Sequence, residues 1–344
     1  MTETDINKFL SASAELGKNF DLIQGAGGNT SYKSGDSLFI KASGFKLKNS
    51  LEKNIFVELN YKKLNKALIE KKNDPLKNTW QSKKTLKPSI ETSMHSILPF
   101  KYIFHVHCLN SISWLVRKNF ESEFKKIFQS LDYKIVKYTK PGVTLTLEIQ
   151  KLINEGSPSI LFLKNHGLVV GSNNIDQAME KIILVSNKLD QTTVKSKNNL
   201  QINNKLLEII SLNTPYRITK YKEANKLAFN NKHIEIALKG CLYPDQVVFL
   251  GKYIYAVNNH NELQLLLKRF KNNKFLPTII VPKGGILVPR NITEEAEEMI
   301  QALQIIISKI PENEEINFLN DEQMNELLNW DAESYRVSLS ENKA

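Results

Sequence analysis

The sequence predicts an α/β protein in its first half, because helix-like and strand-like hydrophobic patterns alternate there. Apolar residues recur at helical spacing over residues 4–16, 61–70, 144–154 and 175–190. Short apolar runs typical of strands lie between these helices, at 38–42, 55–58, 102–107, 134–138, 160–163 and 168–170. The pattern alone does not distinguish a parallel sheet from an antiparallel one.

A second segment follows. At 344 residues the chain exceeds the usual size of one domain, so we expect two domains or one domain with a large extension. Polar residues at 191–203 predict a linker, and those at 71–87 predict a surface loop or lid. After the linker the patterns predict helices at 220–228, 261–270, 294–309 and 321–330, and strands at 246–250, 253–257 and 278–281.

Three features of this second segment argue against particular sites. No glycine fingerprint of the G-x-G-x-x-G type follows a predicted strand, so we expect no NAD binding. Asp245 is a lone acidic residue after Pro244, and we expect it to form a turn. His233 and His260 lie among polar residues, which suggests exposed loops and no part in a metal site.

Composition and charge narrow the possible classes of protein. The net charge of +11 comes mainly from scattered lysines, without the basic stripe interleaved with aromatic residues that single-strand nucleic-acid binders use. No apolar run approaches the roughly 18 residues of a membrane span, and the acidic N-terminus is unlike a secretory signal. Two cysteines are too few for a disulfide framework. We expect a cytoplasmic protein with no nucleic-acid or membrane partner.

Three histidines could supply the nitrogen ligands of a catalytic metal. His105 and His107 are two residues apart on a predicted strand, so both imidazoles would point to one face. His166 follows the apolar run at 159–163 and precedes Gly167, which suits a tight turn at a strand end. A catalytic zinc site typically has three protein ligands and one open position. The alternative is that these are ordinary strand histidines bonded to carbonyl groups.

A carboxylate lies near this strand in sequence. Residues 88–95 open a short helix in which Glu91 and His95 are four apart and share a face. A carboxylate beside a trihistidine metal is a usual arrangement for moving a proton next to a polarised carbonyl. His95 could orient Glu91, or it could be a packed histidine; the sequence leaves both open.

The glycine-rich segment Gly25–Asn29 has two interpretations. Glycine lets backbone amides approach an anion closely, and asparagine and serine add neutral donors, so the segment could hold a phosphate without a fixed positive charge. Alternatively, it is a flexible turn, since glycine-rich loops are common.

Six motifs in order resemble the class II aldolase/adducin family. They span residues 5–195 and comprise GAGGNTS at 25–31, IKASG at 40–44, PSIET at 88–92 with His95, HVH at 105–107, YTKPG at 138–142 and LKNHGL at 163–168 with Gly171. The compact spacing from Glu91 to His105 most resembles the aldolase part of the rhamnulose-1-phosphate aldolase/alcohol dehydrogenase-like proteins. The resemblance implies a three-layer α/β/α domain with a mainly antiparallel central sheet at 1–195, plus a smaller α+β extension at 204–344.

The resemblance also implies roles for single residues. His105, His107 and His166 would hold Zn²⁺ or another divalent metal, and Glu91 would be the catalytic acid and base. The substrate phosphate would be held by residues from three segments, namely Gly28, Asn29, Ser43, Gly44 and Ser89. Ile90 stands where some relatives carry a second phosphate-binding serine, which leaves open whether the substrate is phosphorylated. A tyrosine that relatives borrow from a neighbouring subunit is not assigned.

The implied function is a metal-dependent aldolase that cleaves or forms a C–C bond in a sugar or sugar phosphate through a zinc-bound enediolate. Alternatives are a sugar-phosphate 4-epimerase or a dehydratase on the same site, and a non-enzymatic adducin-like scaffold. Adducin heads lack the metal histidines, so His105, His107 and His166 argue against the scaffold. A subunit whose partner supplies a dehydrogenase is a further possibility.

The resemblance implies a homo-oligomer, most simply a homotetramer built by about the first 190 residues, since closed symmetric assemblies repeat one interface. The extension at 204–344 would cover the substrate entrance or set specificity, without supplying metal ligands.

Overall fold

A computed structural model describes residues 2–72, 74–80, 86–153, 156–191, 202–271, 275–331, 333 and 338–339. The chain forms two compact units. Unit 1 comprises Met1–Leu115 and Asn119–Gln191, and unit 2 comprises Val116–Lys118 and Thr192–Ala344. Among the described helices, none combines the length and apolar character that crossing a bilayer requires.

A seven-stranded sheet forms the centre of unit 1, with strand order β3-β2-β1-β4-β7-β6-β5. The strands are β1 (Asn29–Ser34), β2 (Ser37–Lys41), β3 (Phe56–Asn60), β4 (Tyr102–Val106), β5 (Tyr133–Val136), β6 (Ile160–Leu163) and β7 (Gly167–Ser172). All neighbouring strands are antiparallel except β5 and β6, which are parallel. The mainly antiparallel α/β fold is therefore confirmed.

Helices cover both faces of this sheet. They are α1 (Glu3–Lys18), α2 (Tyr61–Ile69), α3 (Thr92–Ile97), α4 (Leu109–Leu115), α5 (Glu121–Ile127), α6 (Val143–Ile153) and α7 (Ile175–Gln191), with a 3₁₀ turn at Leu47–Asn49. Helix α1 begins with a capping box, in which Thr2 and Asp5 each bond the other's backbone N–H.

Strand β4 shows how the two layers of core arise. Its successive side chains point to opposite faces of the sheet. Phe104 and Val106 pack in a large aromatic cluster with residues of α1, α4, α5 and α7. Ile103 faces the other way and packs with Met94 of α3 and Leu145 of α6. The alternation therefore produces three layers, and it places His105 on the α3 side.

The tight turn between β6 and β7 was only partly predicted. The residue with left-handed backbone conformation is Asn165, at φ 55°, and Gly167 does not have a positive φ. Glycine is needed at 167 for a different reason, because a Cβ there would lie 2.5 Å from the backbone oxygen of Val106. Gly167 therefore allows β7 to pack closely against the end of β4.

Unit 2 is built on a four-stranded mixed sheet, ordered β8-β11-β10-β9. Its strands are β8 (Tyr216–Ile218), β9 (Tyr255–Ala256), β10 (Ile279–Val281) and β11 (Gly285–Pro289). Its helices are α8 (Asn204–Ser211), α9 (Asn231–Lys239), α10 (Pro244–Leu250), α11 (His260–Arg269), α12 (Glu294–Ser308) and α13 (Asp321–Leu328), with a 3₁₀ segment at Lys222–Phe229. Arg217 makes a bidentate ion pair with buried Glu297, which links β8 to α12.

Several expectations for unit 2 were wrong. The strand expected at 246–250 is helix α10, which starts at Pro244, and a short apolar run cannot by itself distinguish a strand from a buried helix. Asp245 is not in a surface turn but is buried in the first turn of α10. His233 and His260 are half-buried within α9 and α11, so they do not lie in exposed loops.

Other expectations lie partly outside the described residues. Most of the predicted linker at 191–203 cannot be compared with the structure, because residues 192–201 lie outside the described part of the chain. In the predicted loop at 71–87, residues 74–80 form turns that end in a bridge between Trp80 and Leu59, and 81–85 are not described. Strand β1 was missed because its sequence, NTSYKS, is largely polar.

The aromatic layer predicts a large loss of stability for Phe162→Ala. Its ring is fully buried and contacts those of Phe124, Phe128 and Tyr133, with centroids 4.9 to 5.5 Å apart. The cavity should lower the free energy of unfolding by about 3–5 kcal/mol in urea titrations. Leu184→Ala, at a side chain 41% exposed, is the control and should change it by less than about 0.5 kcal/mol. Equal effects would contradict the assignment of the core.

Candidate metal centre

Three buried histidines converge at one end of β4. His105 lies on the strand, His107 follows its last residue, and His166 lies in the turn between β6 and β7. Their ring centroids are 4.9 to 5.2 Å apart, and one nitrogen of each lies within 4.8 Å of the others. The structure therefore brings together the three histidines that the sequence predicted as a group of metal ligands.

Strand pairing explains this convergence. Strand β7 pairs antiparallel with β4, so that Val106 lies opposite Leu168. The turn that precedes β7 must then lie beside the residues that follow β4. His166 consequently reaches His107 and His105 although about 60 residues separate them in sequence.

Hydrogen bonding sets the orientation of the His105 ring. Its Nδ1 lies 3.1 Å from the backbone oxygen of Leu168, which can only accept, so Nδ1 carries the proton. Its Nε2 faces the other side chains of the cluster, and Nε2 of His107 lies 3.2 Å away. A carbonyl bonded to the far nitrogen is the usual support for a metal-binding histidine.

Glu91 lies against the histidines. It precedes the first residue of α3, makes no side-chain capping hydrogen bond there, and is 4% exposed. Its Oε2 is 3.3 Å from His105 Nε2, and its Oε1 is 3.6 Å from His166 Nε2. Burial alone would raise the pKa of Glu91, but the three histidines and a hydrogen bond from Asn29 outweigh burial and lower the pKa to about 2. The carboxylate is therefore ionised at neutral pH.

The donor set fits a divalent metal. Three imidazole nitrogens and an adjacent carboxylate are ligands that suit zinc and related ions. Glu91 Oε1 is buried and has no hydrogen-bond partner among the described residues, so one acceptor here is left for a cation or substrate. The site can hold a divalent cation, and its residues do not by themselves specify which one.

Asn29 and Ser89 join this cluster through Glu91. The Asn29 side-chain amide donates to Glu91 Oε2 at 2.7 Å and to Ser89 Oγ at 3.1 Å. The backbone N–H of Glu91 also donates to Ser89 Oγ, at 3.3 Å. Asn29 reaches this position because it is paired with His105 in the register of β1 and β4.

The other predicted substrate-binding residues lie in two loops. Gly28 has φ +57°, and a Cβ there would lie 2.7 Å from the backbone oxygen of His105, so only glycine fits. Gly44 also has a positive φ, 76°. Ser43 is buried, and its backbone N–H donates to the carbonyl of Lys87 at 2.9 Å. The backbone N–H of Ser43 is therefore used within the protein.

Lys41 was missed by the sequence analysis. Its side chain is almost completely buried, and Nζ donates to the carbonyl oxygens of Ala26 at 2.6 Å and Phe45 at 2.8 Å. The lysine thereby joins the glycine-rich loop to the loop after β2. The available signal was a lysine at the end of an apolar strand, immediately before the Ala-Ser-Gly turn.

His95 is completely buried on α3, with Nδ1 2.7 Å from the Ser31 hydroxyl. Burial lowers the pKa of His95 to about 3, so the ring is neutral. The side-chain hydrogen bond that Glu91 receives comes from Asn29, whereas His95 bonds to β1. This geometry favours the packed histidine over one that orients Glu91.

Known proteins show similarity to the first unit. A domain from a conserved Thermoplasma acidophilum protein, described as an N-terminal class II aldolase domain, is 24% identical, with TM-score 0.48, covering 56% of this chain and 94% of that one. A sugar-phosphate aldolase of Thermotoga maritima is 15% identical, with TM-score 0.43, covering 55% and 93% respectively.

Among curated proteins, an uncharacterized oxidoreductase of Bacillus subtilis, YuxG, is 28% identical over 106 residues. That match covers 30% of this chain and 15% of YuxG.

The model of the class II aldolase and adducin N-terminal domain matches residues 7–191. This range is more than half of the chain and contains the histidine cluster, Glu91 and the glycine-rich loop. The chain belongs to the class II aldolase/adducin family.

Proposed function

We propose that the protein is a zinc-dependent class II aldolase, a carbon–carbon lyase that acts on a sugar or sugar phosphate. The observation that supports this most strongly is an ionised, buried Glu91 in contact with two histidines of a buried trihistidine cluster. His105, His107 and His166 would be the metal ligands, and Glu91 the catalytic acid and base.

Bound metal would act as a Lewis acid that polarises the substrate carbonyl and stabilises negative charge on its oxygen. In the cleavage direction, Glu91 would carry a proton to the donor fragment as the C–C bond breaks, and in synthesis it would remove that proton. Burial of Glu91 and His105 excludes bulk water, which strengthens electrostatic interactions in the site.

Gly28, Ser43, Gly44 and Ser89 would surround the other end of the substrate, with Asn29 between that end and Glu91. The buried Lys41 would add positive charge behind both loops. These features favour a substrate that carries an anionic group, such as a phosphate. A screen of phosphorylated and free ketoses for aldehyde release tests this proposal, and epimerised or dehydrated products instead of aldehyde would refute the aldolase assignment.

We also propose a cytoplasmic homotetramer. Residues 1–195 would be the catalytic domain and assemble the tetramer, and residues 204–344 would be an extension that supplies no metal ligand.

The histidine cluster predicts about one divalent metal ion per chain in protein purified without chelators. Elemental analysis should show that His105→Ala and His166→Ala remove most of it, because each deletes one of three nitrogen ligands. His260→Ala, a histidine of unit 2, is the matched control and should retain it. Full activity in metal-free protein would exclude the proposed mechanism.

Glu91→Gln should retain most of the metal and lower kcat by about two to four powers of ten, the usual contribution of general acid–base catalysis. The variant keeps the side-chain volume but loses the proton acceptor. Glu180→Gln changes an exposed carboxylate on α7 and should leave kcat unchanged. Solvent exchange of the donor fragment's α-proton at the wild-type rate in Glu91→Gln would show that Glu91 is not the base.

The assembly proposal predicts that light scattering on the full chain gives about four times its 39.4 kDa mass. The measurement should be repeated across a range of protein concentrations, since a weak assembly would dissociate on dilution. A monomer with full activity would refute both the tetramer and any site shared between subunits.

A further inference from the structure

Three polar side chains of β1 lie in one row beside α3. Asn29, Ser31 and Lys33 are spaced two residues apart, so the alternation of the strand places them on the same face of the sheet. Asn29 bonds to Glu91 just before α3, and Ser31 bonds to His95 within it. Lys33, at the far end of the row, is a charged side chain that the metal centre does not explain.

Lys33 binds carbonyl groups at the C-terminal end of α3. Its Nζ donates to the backbone oxygen of Ser96, at 3.1 Å, and to that of Leu98. The side-chain amide of Asn65, on α2, donates to the same Ser96 oxygen at 3.2 Å. The last carbonyls of a helix have no partner within the helix, and a cation there also interacts favourably with the helix dipole. Lys33 and Asn65 therefore cap α3 from two different elements.

The surroundings of Lys33 make this contact costly to maintain. Lys33 is half-buried, and its Nζ lies 5.0 Å from the centre of the Tyr61 ring. Burial lowers the pKa of Lys33 to about 8, and no carboxylate among the described residues opposes this shift. Burying a cation is unfavourable unless it is paired and hydrogen-bonded. The carbonyl groups at the end of α3 supply the hydrogen bonds that hold this ammonium group.

Helix α3 depends on outside contacts for its position. It has six residues, and isolated helices shorter than about 12 residues are unstable in water. Met94 packs in the apolar layer beneath it, but apolar contacts are non-directional. Hydrogen bonds do have a preferred distance and angle. The bonds at its C-terminal end therefore limit sliding of α3 along β1, and Glu91 immediately precedes the helix.

We propose that Lys33 is a positioning residue that fixes Glu91 relative to His105 by holding the far end of α3. Four strand residues at about 3.4 Å each place Lys33 about 13 Å along β1 from Asn29, so it acts through the helix and not on the reacting atoms. The catalytic role of Glu91 rests on the proposed function, whereas the position of Glu91 can be measured without turnover.

Crystal structures of wild type and Lys33→Met test this role directly. Methionine keeps most of the side-chain length but cannot donate a hydrogen bond. The carboxylate of Glu91 should therefore move relative to His105 by about 0.5 Å or more, the tolerance of a catalytic geometry. Lys33→Arg keeps the charge and the donors and should leave Glu91 in place. Lys66→Met, at a lysine of α2 whose side chain is 78% exposed, is the matched control and should also leave it in place.

Kinetics with the ketose found in the screen provides a second measurement. Lys33→Met should retain the metal, because the three histidines lie outside α3. Its kcat should fall about ten- to hundredfold with KM nearly unchanged, since a misplacement of about 1 Å can cost a hundredfold in rate. Lys33→Arg should restore most of kcat. Loss of folded protein would instead lower kcat and metal content together.

Glu91 in its wild-type position in Lys33→Met, or wild-type kcat in that variant, would overturn the inference. If Lys33→Met does not fold, the crystal structure of Asn65→Ala decides, because this variant removes the other donor to the Ser96 oxygen from a partly buried side chain. An undisplaced Glu91 there would overturn the inference. Displacement of Glu91 in protein that releases no aldehyde from any ketose would refute the proposed aldolase alone.

Discussion

The register of β4 between its two antiparallel neighbours is the constraint on which the site depends. His105 lies opposite Asn29 of β1 on one side and Val169 of β7 on the other. Because side chains alternate along a strand, a slip of one residue would turn both strand-end imidazoles into the aromatic layer around Phe104. The hydrophobic contrast between the two faces therefore fixes the direction of the metal-binding side chains as well as the packing.

The second requirement is compensation of buried charge. An ionised carboxylate in a protein interior is strongly unfavourable unless it is paired and hydrogen-bonded. Glu91 receives the Asn29 amide and lies next to His105 and His166, which explains why its pKa falls in spite of burial. Lys41 meets the same requirement with carbonyl oxygens from two loops. Lys41 thereby holds the backbone of the glycine-rich loop next to that of the loop after β2.

Sequence patterns predicted the elements whose buried positions are apolar, and they failed where buried positions are polar. Strand β6, Ile160–Leu163, was predicted to the residue because it is apolar throughout, whereas β1 was missed because it presents Asn29 and Ser31 to a polar site. Motif spacing predicted that the three histidines could meet. It could not show that Asn29 donates to Glu91 or that Lys41 is buried, since both depend on contacts between distant segments.

The site separates its hydrogen-bond donors from its acceptors. Near the histidines, Glu91 Oε1 and Asn29 Oδ1 are buried acceptors without a hydrogen-bond partner among the described residues, so this end suits a cation or a hydrogen-bond donor. Ser89, two residues before Glu91, presents a hydroxyl proton. Because Asn29 bonds to both Ser89 and Glu91, its amide holds these two side chains at a fixed distance from each other.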